Sequence, residues 1–580
     1  MATATRPKAR GAFYALRAFW RRFRGDFRGG LTPWSVSALV LVTLTTLPLL
    51  VIAGGVFKPS TEIWQHLAST VLWVYIGNSA LLMVGVGALA LVFGLAPAWL
   101  VSAYDFPGRR IFEWSLVLPL AIPTYIIAYT YAGVFEYGSP MSGLLDTLWP
   151  GAETWRVRAT LMSREGAMVM MALVLYPYVY VIARASFVRQ SGAVLETARS
   201  LGRGPWNTFF KVALPMARPA VVGGLTLVLM EVLNEYGAVK YFGVPTFTTG
   251  IFRAWFPLND PMSAMRLSGI LLLFVFSLIV FERVQRGRAR FDDGARGHRP
   301  TTRRALGTRG RWLSFSVCFI PLALGFLVPV LQLLGWATKA GLGSLDTRFV
   351  ELTLHSFSLA LGAAVSAVFA ALLISYAARL SPTPLLRAAS KVAVLGYSIP
   401  GAVIAVGVFI PFVWMDRRVD TFMRASFDFP TGLLLSGTLI ALVFAYVVRF
   451  LAVALNPLES GFKRLCGNLD ETSRSLGVPP LKTLWKVDLP LLRGTILSAA
   501  LLVFVDVLKE LPLTLILRPF NFDTLATRAF QLATDEQLTQ SAMPALLIIA
   551  VGLVPVIVLN KLIGRDGQSS VVVTTAGEQS

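Results

Sequence analysis

Glu196-Thr197-Ala198-Arg199-Ser200-Leu201-Gly202, followed by Leu214-Pro215, decides the fold, because the chain states it twice. Glu471-Thr472-Ser473-Arg474-Ser475-Leu476-Gly477, followed by Leu489-Pro490, lies 275 residues further on and aligns with it without a gap. In each copy Gly stands six residues after Glu and Pro thirteen after Gly. Both copies are polar islands in an apolar chain. The pattern predicts a duplicated membrane protein that shows one handle twice to a soluble partner.

The surrounding composition sets the solvent. Of 580 residues, 55% are hydrophobic and 14% charged, where a soluble chain carries about 25% charged residues. Runs of close to 20 apolar residues recur, enough to cross about 30 Å of hydrocarbon as helix. Lipid admits only helices or closed barrels, and the alternating ten-residue strands of a barrel are missing from the sequence. The expectation is therefore an all-α polytopic protein with twelve spans. They fall near 36–56, 74–100, 112–134, 166–186, 217–239 and 265–283, then 313–336, 356–378, 390–414, 432–455, 495–517 and 542–563.

A net charge of +22 would suggest nucleic acid in a soluble chain. Here the arginines gather at the start and in one central linker, which is a topology signal. Residues 1–30 hold Arg6, Lys8, Arg10, Arg17, Arg21, Arg22, Arg24 and Arg28 against Asp26, and the linker from Arg283 to Arg311 opposes its arginines with Asp292 and Asp293. Both segments are expected in the cytoplasm of a bacterium, with the inner membrane as the location. Arg109-Arg110, Arg379 and Arg387 agree, while the stretches from Glu136 to Asp146 and from Asp523 to Glu536 read as external. Both islands and both termini then fall inside. Cys318 and Cys466, and the scattered His66, His298 and His355, offer no disulfide framework or metal-ligand spacing. No cleaved signal is read at the N-terminus.

An even number of spans between the islands keeps both on one side, so the halves read as parallel repeats about an axis along the membrane normal. The same offset aligns Glu231-Val232-Leu233-Asn234-Glu235 with Asp506-Val507-Leu508-Lys509-Glu510, and Arg253-Ala254 with Arg528-Ala529. Upstream the offset is 277, pairing Asn78-Ser79 with His355-Ser356 and Ile122-Pro123 with Ile399-Pro400. The expected division is a basic segment 1–34, a first repeat 35–283 with its island at 190–217, and an Arg-rich linker 284–312. A second repeat 313–563 with its island at 458–492 and a disordered cytoplasmic tail 564–580 complete it.

Each island suits a helix–turn–helix: an acidic first turn favoured by the dipole, a glycine free to turn left-handed, and a resumed helix that Pro215 or Pro490 ends. The islands resemble the Glu-Ala-Ala loop of ATP-binding-cassette importer permeases, which implies a type I permease fold and a coupling helix that docks into the ATPase subunit. On that resemblance Glu196, Ala198, Gly202 and Pro215, with Glu471, Ser473, Gly477 and Pro490, are ATPase-coupling positions. Thr197, Thr472 and Ser473 depart from the pattern but remain small. The chain contains no phosphate-binding Gly-x4-Gly-Lys-Ser/Thr motif. It is expected to carry no catalytic residue and no cofactor, with ATP and Mg²⁺ bound by a separate ATPase in two copies.

Glu231, Glu235, Asp506 and Glu510 fall within the fifth and eleventh spans, where an ionised group is costly unless it is paired or hydrated. Two readings stay open. The acids line a cation path, as transient metal contacts, or they hold the halves together with Lys509, Lys240, Asn234 or water. Pro119 to Tyr125 breaks the third span and Pro400-Gly401 the ninth, which puts Tyr125 and Tyr129 among the path candidates.

Pro119 to Tyr131, Glu231 to Tyr236 and Tyr241 to Ile251 resemble the fused permeases of bacterial iron(III) importers. That resemblance implies a periplasmic iron-binding protein as the second partner and no nucleic acid. Importers of thiamine, other organic cations or phosphonates remain alternatives, as does an ion-coupled secondary transporter, which would leave the two islands unexplained.

Overall fold

A computed structural model describes residues 32–136, 139, 143, 147, 159–190, 196–198, 200–286, 303–341, 346–465 and 468–576. The basic N-terminal segment, most of the Arg-rich linker, most of the stretch from Glu136 to Asp146, and Cys466 lie outside them. Among the described residues, ten helices are long and apolar enough to cross a bilayer, or up to twelve spans if two sharply bent pairs each count as one. The protein is a multi-pass, all-α membrane protein.

The two bent pairs are Arg109–Ala121 with Thr124–Val134, turning through 93°, and Pro384–Ser398 with Gly401–Phe427, turning through 113°. Each break falls where a proline forces the preceding residue out of helix. Ile122 and Ile399 are extended, at φ −95°, ψ 118° and φ −98°, ψ 133°.

Prolines in the spans that follow the islands act otherwise. The expectation that Pro215 and Pro490 end a helix is wrong: helix runs without interruption over Pro205–Asn234 and Pro480–Leu508. A proline inside a helix removes one hydrogen bond and clashes with the carbonyl four residues back. The chain relieves this by widening one turn to π geometry over Phe209–Ala213 and Leu484–Asp488. Ala323–Leu327, ahead of Pro329, does the same.

Small residues let helices close on one another, as is usual where lipid supplies no hydrophobic drive. A Cβ on Gly94 would stand 2.8 Å from the Tyr176 carbonyl, so Leu72–Ala103 and Arg164–Arg189 meet backbone to backbone. In the second half Thr347–Leu380 buries Ala360, Ala363, Ala364, Ala367, Ala370 and Ala371. The first helix of each repeat leans on the other repeat. Gly407 of the second half admits the Pro48 carbonyl of Pro33–Gly55, and Trp34 packs edge-on against Tyr376. Conversely, Gly325 sits under the Leu173 carbonyl, and Tyr131 donates to the Leu324 carbonyl at 2.6 Å.

Two further expectations are corrected. The fifth and eleventh spans stop at Asn234 and Leu508, short of 239 and 517, because Gly237 and Pro512 start new short helices, Gly237–Tyr241 and Pro512–Leu517. The C-terminal tail, expected disordered, is helical to Ala576. Extending a formed helix gains one hydrogen bond per added residue and needs no new nucleus.

Candidate functional site

Two places combine function-bearing chemistry with duplication: the islands on one face, and a polar chamber between the halves.

On the islands, Gly202 and Gly477 have φ of 77° and 71°, the left-handed conformation that costs other residues free energy. The amides that follow reach back to close the helix end, Arg203 to the Ala198 carbonyl at 3.2 Å and Val478 to the Ser473 carbonyl at 2.9 Å. This is the Schellman turn, and it gives Ala198 and Ser473 the same task. Ser200 and Ser475 donate to the carbonyls of Glu196 and Glu471 at 3.0 and 2.9 Å. Glu196, Glu471, Pro215 and Pro490 are exposed, Ser473 is half-buried and Ala198 is buried. After the turn, Pro205–Thr208 and Pro480–Thr483 resume helix.

Both loops present the same apolar positions, which the sequence reading missed. Leu201, Trp206 and Phe210 are 76%, 75% and 55% exposed, and their counterparts Leu476, Leu481 and Trp485 are 75%, 53% and 66% exposed. Their spacing repeats with the 275-residue offset, which was the available signal. The loops are braced differently. Under the first lies an aromatic cluster, Trp99 with Phe187 and Phe209 at 5.2 and 5.3 Å. Under the second, Arg379 bonds Asp470 at 2.5 Å and the Phe462 carbonyl at 2.6 Å, and Tyr376 donates to the Pro480 carbonyl at 2.6 Å.

A vestibule of about 1500 Å³ opens beside the second loop, bounded by Pro219 and Gly223 from one half and Arg379 and Asp470 from the other. Leu227, Met230 and Ser398 pass from it into a narrow neck of about 20 Å³. The neck shares Tyr178, Glu231, Asn234, Tyr397 and Arg449 with a chamber of about 90 Å³. Beyond the chamber the way is shut. Tyr236 stacks on Phe252 at 3.6 Å, and Phe530 of the other half packs against Tyr236 and Tyr125 at 6.0 and 6.1 Å. The molecule is open toward the loops and closed at the opposite face.

The plug stands on duplicated scaffolding. Phe252 and Phe530 lie on Phe247–Trp255 and Leu525–Thr534, each begun by a Thr–Thr capping box, Thr246 with Thr249 and Thr524 with Thr527. Ser79 and Ser356 accept the first amide of these helices, from Phe247 at 3.5 Å and Leu525 at 2.7 Å.

The four acids part ways. Glu235 and Glu510 cap the short helices behind them, accepting from Ala238 N at 2.8 Å and Leu513 N at 3.3 Å. Thr124 also donates to Glu235, and Arg449 Nε lies 3.3 Å from Glu510. Lys509 Nζ meets Asp506 at 2.9 Å. Glu231 meets the Asn234 amide at 3.5 Å. Among the described residues, no three His, Cys, Asp or Glu side chains approach closely enough to hold a metal ion. The four acids therefore do not form one metal centre. Tyr125 lines the chamber, while Tyr129 is buried against Tyr241 and is absent from the chamber's lining.

Arg449 went unnoticed in the sequence, although it is the charged residue in the apolar run 439–455 and such a residue is a site candidate by default. It joins the halves: its guanidinium donates to Asn234 Oδ1 at 3.1 Å and to the Ile399 carbonyl at 3.0 Å, and Gly401 N donates to the same Asn234 oxygen at 2.9 Å.

Two parallel membrane repeats, matched loops on one face and a central chamber that opens to that face together define a transport permease. Residues 90–289 and 363–566 each match the family described as binding-protein-dependent transport system inner membrane component, and the chain belongs to that family. It is 25% identical over 491 residues to the Fe(3+)-transport system permease protein FbpB 2 of Haemophilus influenzae, covering 84% of this chain and 89% of that one. A probable sulfate transport system permease protein, cysT, of Nephroselmis olivacea is 34% identical over 26% of this chain and 49% of its own length. The molybdenum transport system permease protein ModB of Escherichia coli is 29% identical over 37% of this chain and 96% of its own.

Proposed function

We propose that this chain is the membrane subunit of an ATP-binding-cassette importer for iron(III), seated in a bacterial inner membrane with its loops and both termini in the cytoplasm. The observation that carries this reading is the loop pair. Each loop has the same left-handed glycine turn and an exposed apolar side chain at the same three positions. Exposed apolar groups that recur at equivalent places mark a partner surface. A separate ATPase, one copy on each loop, binds ATP and Mg²⁺ and closes over them. A periplasmic binding protein delivers iron to the plugged face, and ATP-driven closure of the loops opens the plug.

Iron is favoured over the alternatives by two facts. The iron-transport relative aligns with 84% of the chain and 89% of its own length. The chamber also suits a small cation. Glu231, Glu235, Asp506 and Glu510 outnumber Lys509 and Arg449, and both cations already hold carboxylates. Its volume of about 90 Å³ accepts an ion with a few waters rather than thiamine. A deletion strain grown on limiting iron tests the substrate. Lost iron uptake that the intact gene restores supports the reading, and unchanged uptake in a strain without a second importer contradicts it.

A further inference from the structure

The chamber gathers oxygen donors that are not all acids. Glu231 and Asp506, equivalent positions of the two repeats, line it together with Tyr178 from the first half and Tyr397 from the second. Both phenols also line the neck that leads to the vestibule. Tyr397 is 37% exposed and lines both the chamber and its neck. At the plugged end Tyr125 is only 3% exposed, and its hydroxyl, lining the same chamber, finds no partner among the described residues. A buried hydroxyl is costly when left so, unless water or a ligand completes it. Glu235 and Glu510 are committed to helix caps, whereas Glu231 has one long contact and Asp506 one ion pair, to the half-exposed ammonium of Lys509.

We propose that Tyr178, Tyr397, Glu231 and Asp506 form a transit site for a hard trivalent cation, and that Lys509 is the tethered ammonium that fills it between turnovers. This rests on the reading of the chain as a cation importer and adds the ligand set and the release device. Hard cations favour oxygen ligands. On entry the ion displaces Lys509 from Asp506. The two phenols give up their protons to chamber water as metal–oxygen bonds form, and the metal keeps its charge. Two phenolates and two carboxylates hold such an ion firmly, so release requires the phenols to take protons back from chamber water as the ammonium returns. Passage requires binding strong enough to enter and weak enough to leave. Return of the ammonium to Asp506 drives the ion on toward the vestibule.

The test uses the full chain with its co-purified ATPase in lipid nanodiscs and ferric nitrilotriacetate as the probe. Phenolate bound to iron(III) gives a visible charge-transfer band. The expected result is such a band in the wild type, weakened in Tyr178→Phe and in Tyr397→Phe alone and lost in the double variant. Lys509→Met is expected to retain several-fold more iron after gel filtration and to transport several-fold more slowly. Co-purification of the ATPase reports that each variant is folded. A wild type that imports iron but shows no band, with Lys509→Met retaining no more iron than the wild type, overturns this site and leaves the importer reading standing. A wild type that imports sulfate or molybdate and no iron overturns both.

Discussion

Arg449 and Glu510 lie 3.3 Å apart, each with a side chain 7% exposed, and the same guanidinium reaches Asn234 of the other repeat. One buried charge pair thus ties the break after the eleventh span to the fifth. Removing one partner of a buried pair costs about 3–5 kcal/mol, because the other charge is stranded. Arg449→Met should lower the thermal unfolding midpoint sharply in detergent. Arg449→Met combined with Glu510→Leu should recover part of the loss, since no lone charge remains while the Leu513 amide and Ile399 carbonyl lose their partners. A single variant as stable as the wild type would show that the contact does not join the halves.

The exposed apolar triplets separate docking from folding. Trp206→Ala with Trp485→Ala should leave thermal stability nearly unchanged, because both side chains are mostly exposed and surface changes usually fall within about 0.5 kcal/mol. ATPase recovered in a pull-down should fall steeply. A stable variant that still binds the ATPase fully would remove these residues from the docking surface.

The loop glycines test backbone rather than bulk. Nothing lies within 4 Å of a Cβ built on Gly202 or Gly477, so alanine meets no steric obstacle, only its own φ. Holding alanine left-handed costs roughly 1–2 kcal/mol. The double Gly→Ala variant should therefore keep its fold while the turn relaxes, raising the ATP needed per ion transported. Unaltered coupling would mean that the turn conformation is not what the ATPase engages.

The aromatic plug should be the outer gate. Phe530→Ala removes the ring that bridges Tyr125 and Tyr236. Vesicles that hold the variant should leak iron without ATP, where the wild type retains it. A tight variant that transports normally would move the gate elsewhere.

Much of this was legible in the sequence, and the illegible part has physical reasons. Polar identities at a fixed offset, such as Glu196 with Glu471 and Gly202 with Gly477, betray duplication because lipid-facing residues drift freely among apolar types. The breaks at Pro123 and Pro400 were readable because proline constrains its predecessor. The fates of Pro215 and Pro490 were not, since a π turn leaves no compositional mark. Glu235 and Glu510 do line the chamber, but their capping role was hidden because hydropathy runs on past Asn234 and Leu508. Only Gly237 and Pro512, at equivalent places, hinted that new helices start there and need caps. Tyr178 and Tyr397 occupy non-equivalent positions, so the repeat that exposed the acids could not expose them.

The central claim is that the two loops harness a separate ATPase to move iron through the chamber. Proteoliposomes holding this chain, its ATPase and its binding protein, supplied with radioactive iron(III), test it directly. The account predicts uptake that requires ATP inside the ATPase-accessible compartment and vanishes in the Trp206→Ala, Trp485→Ala double variant. Uptake driven by an ion gradient with no ATP present, and untouched by that variant, would contradict it.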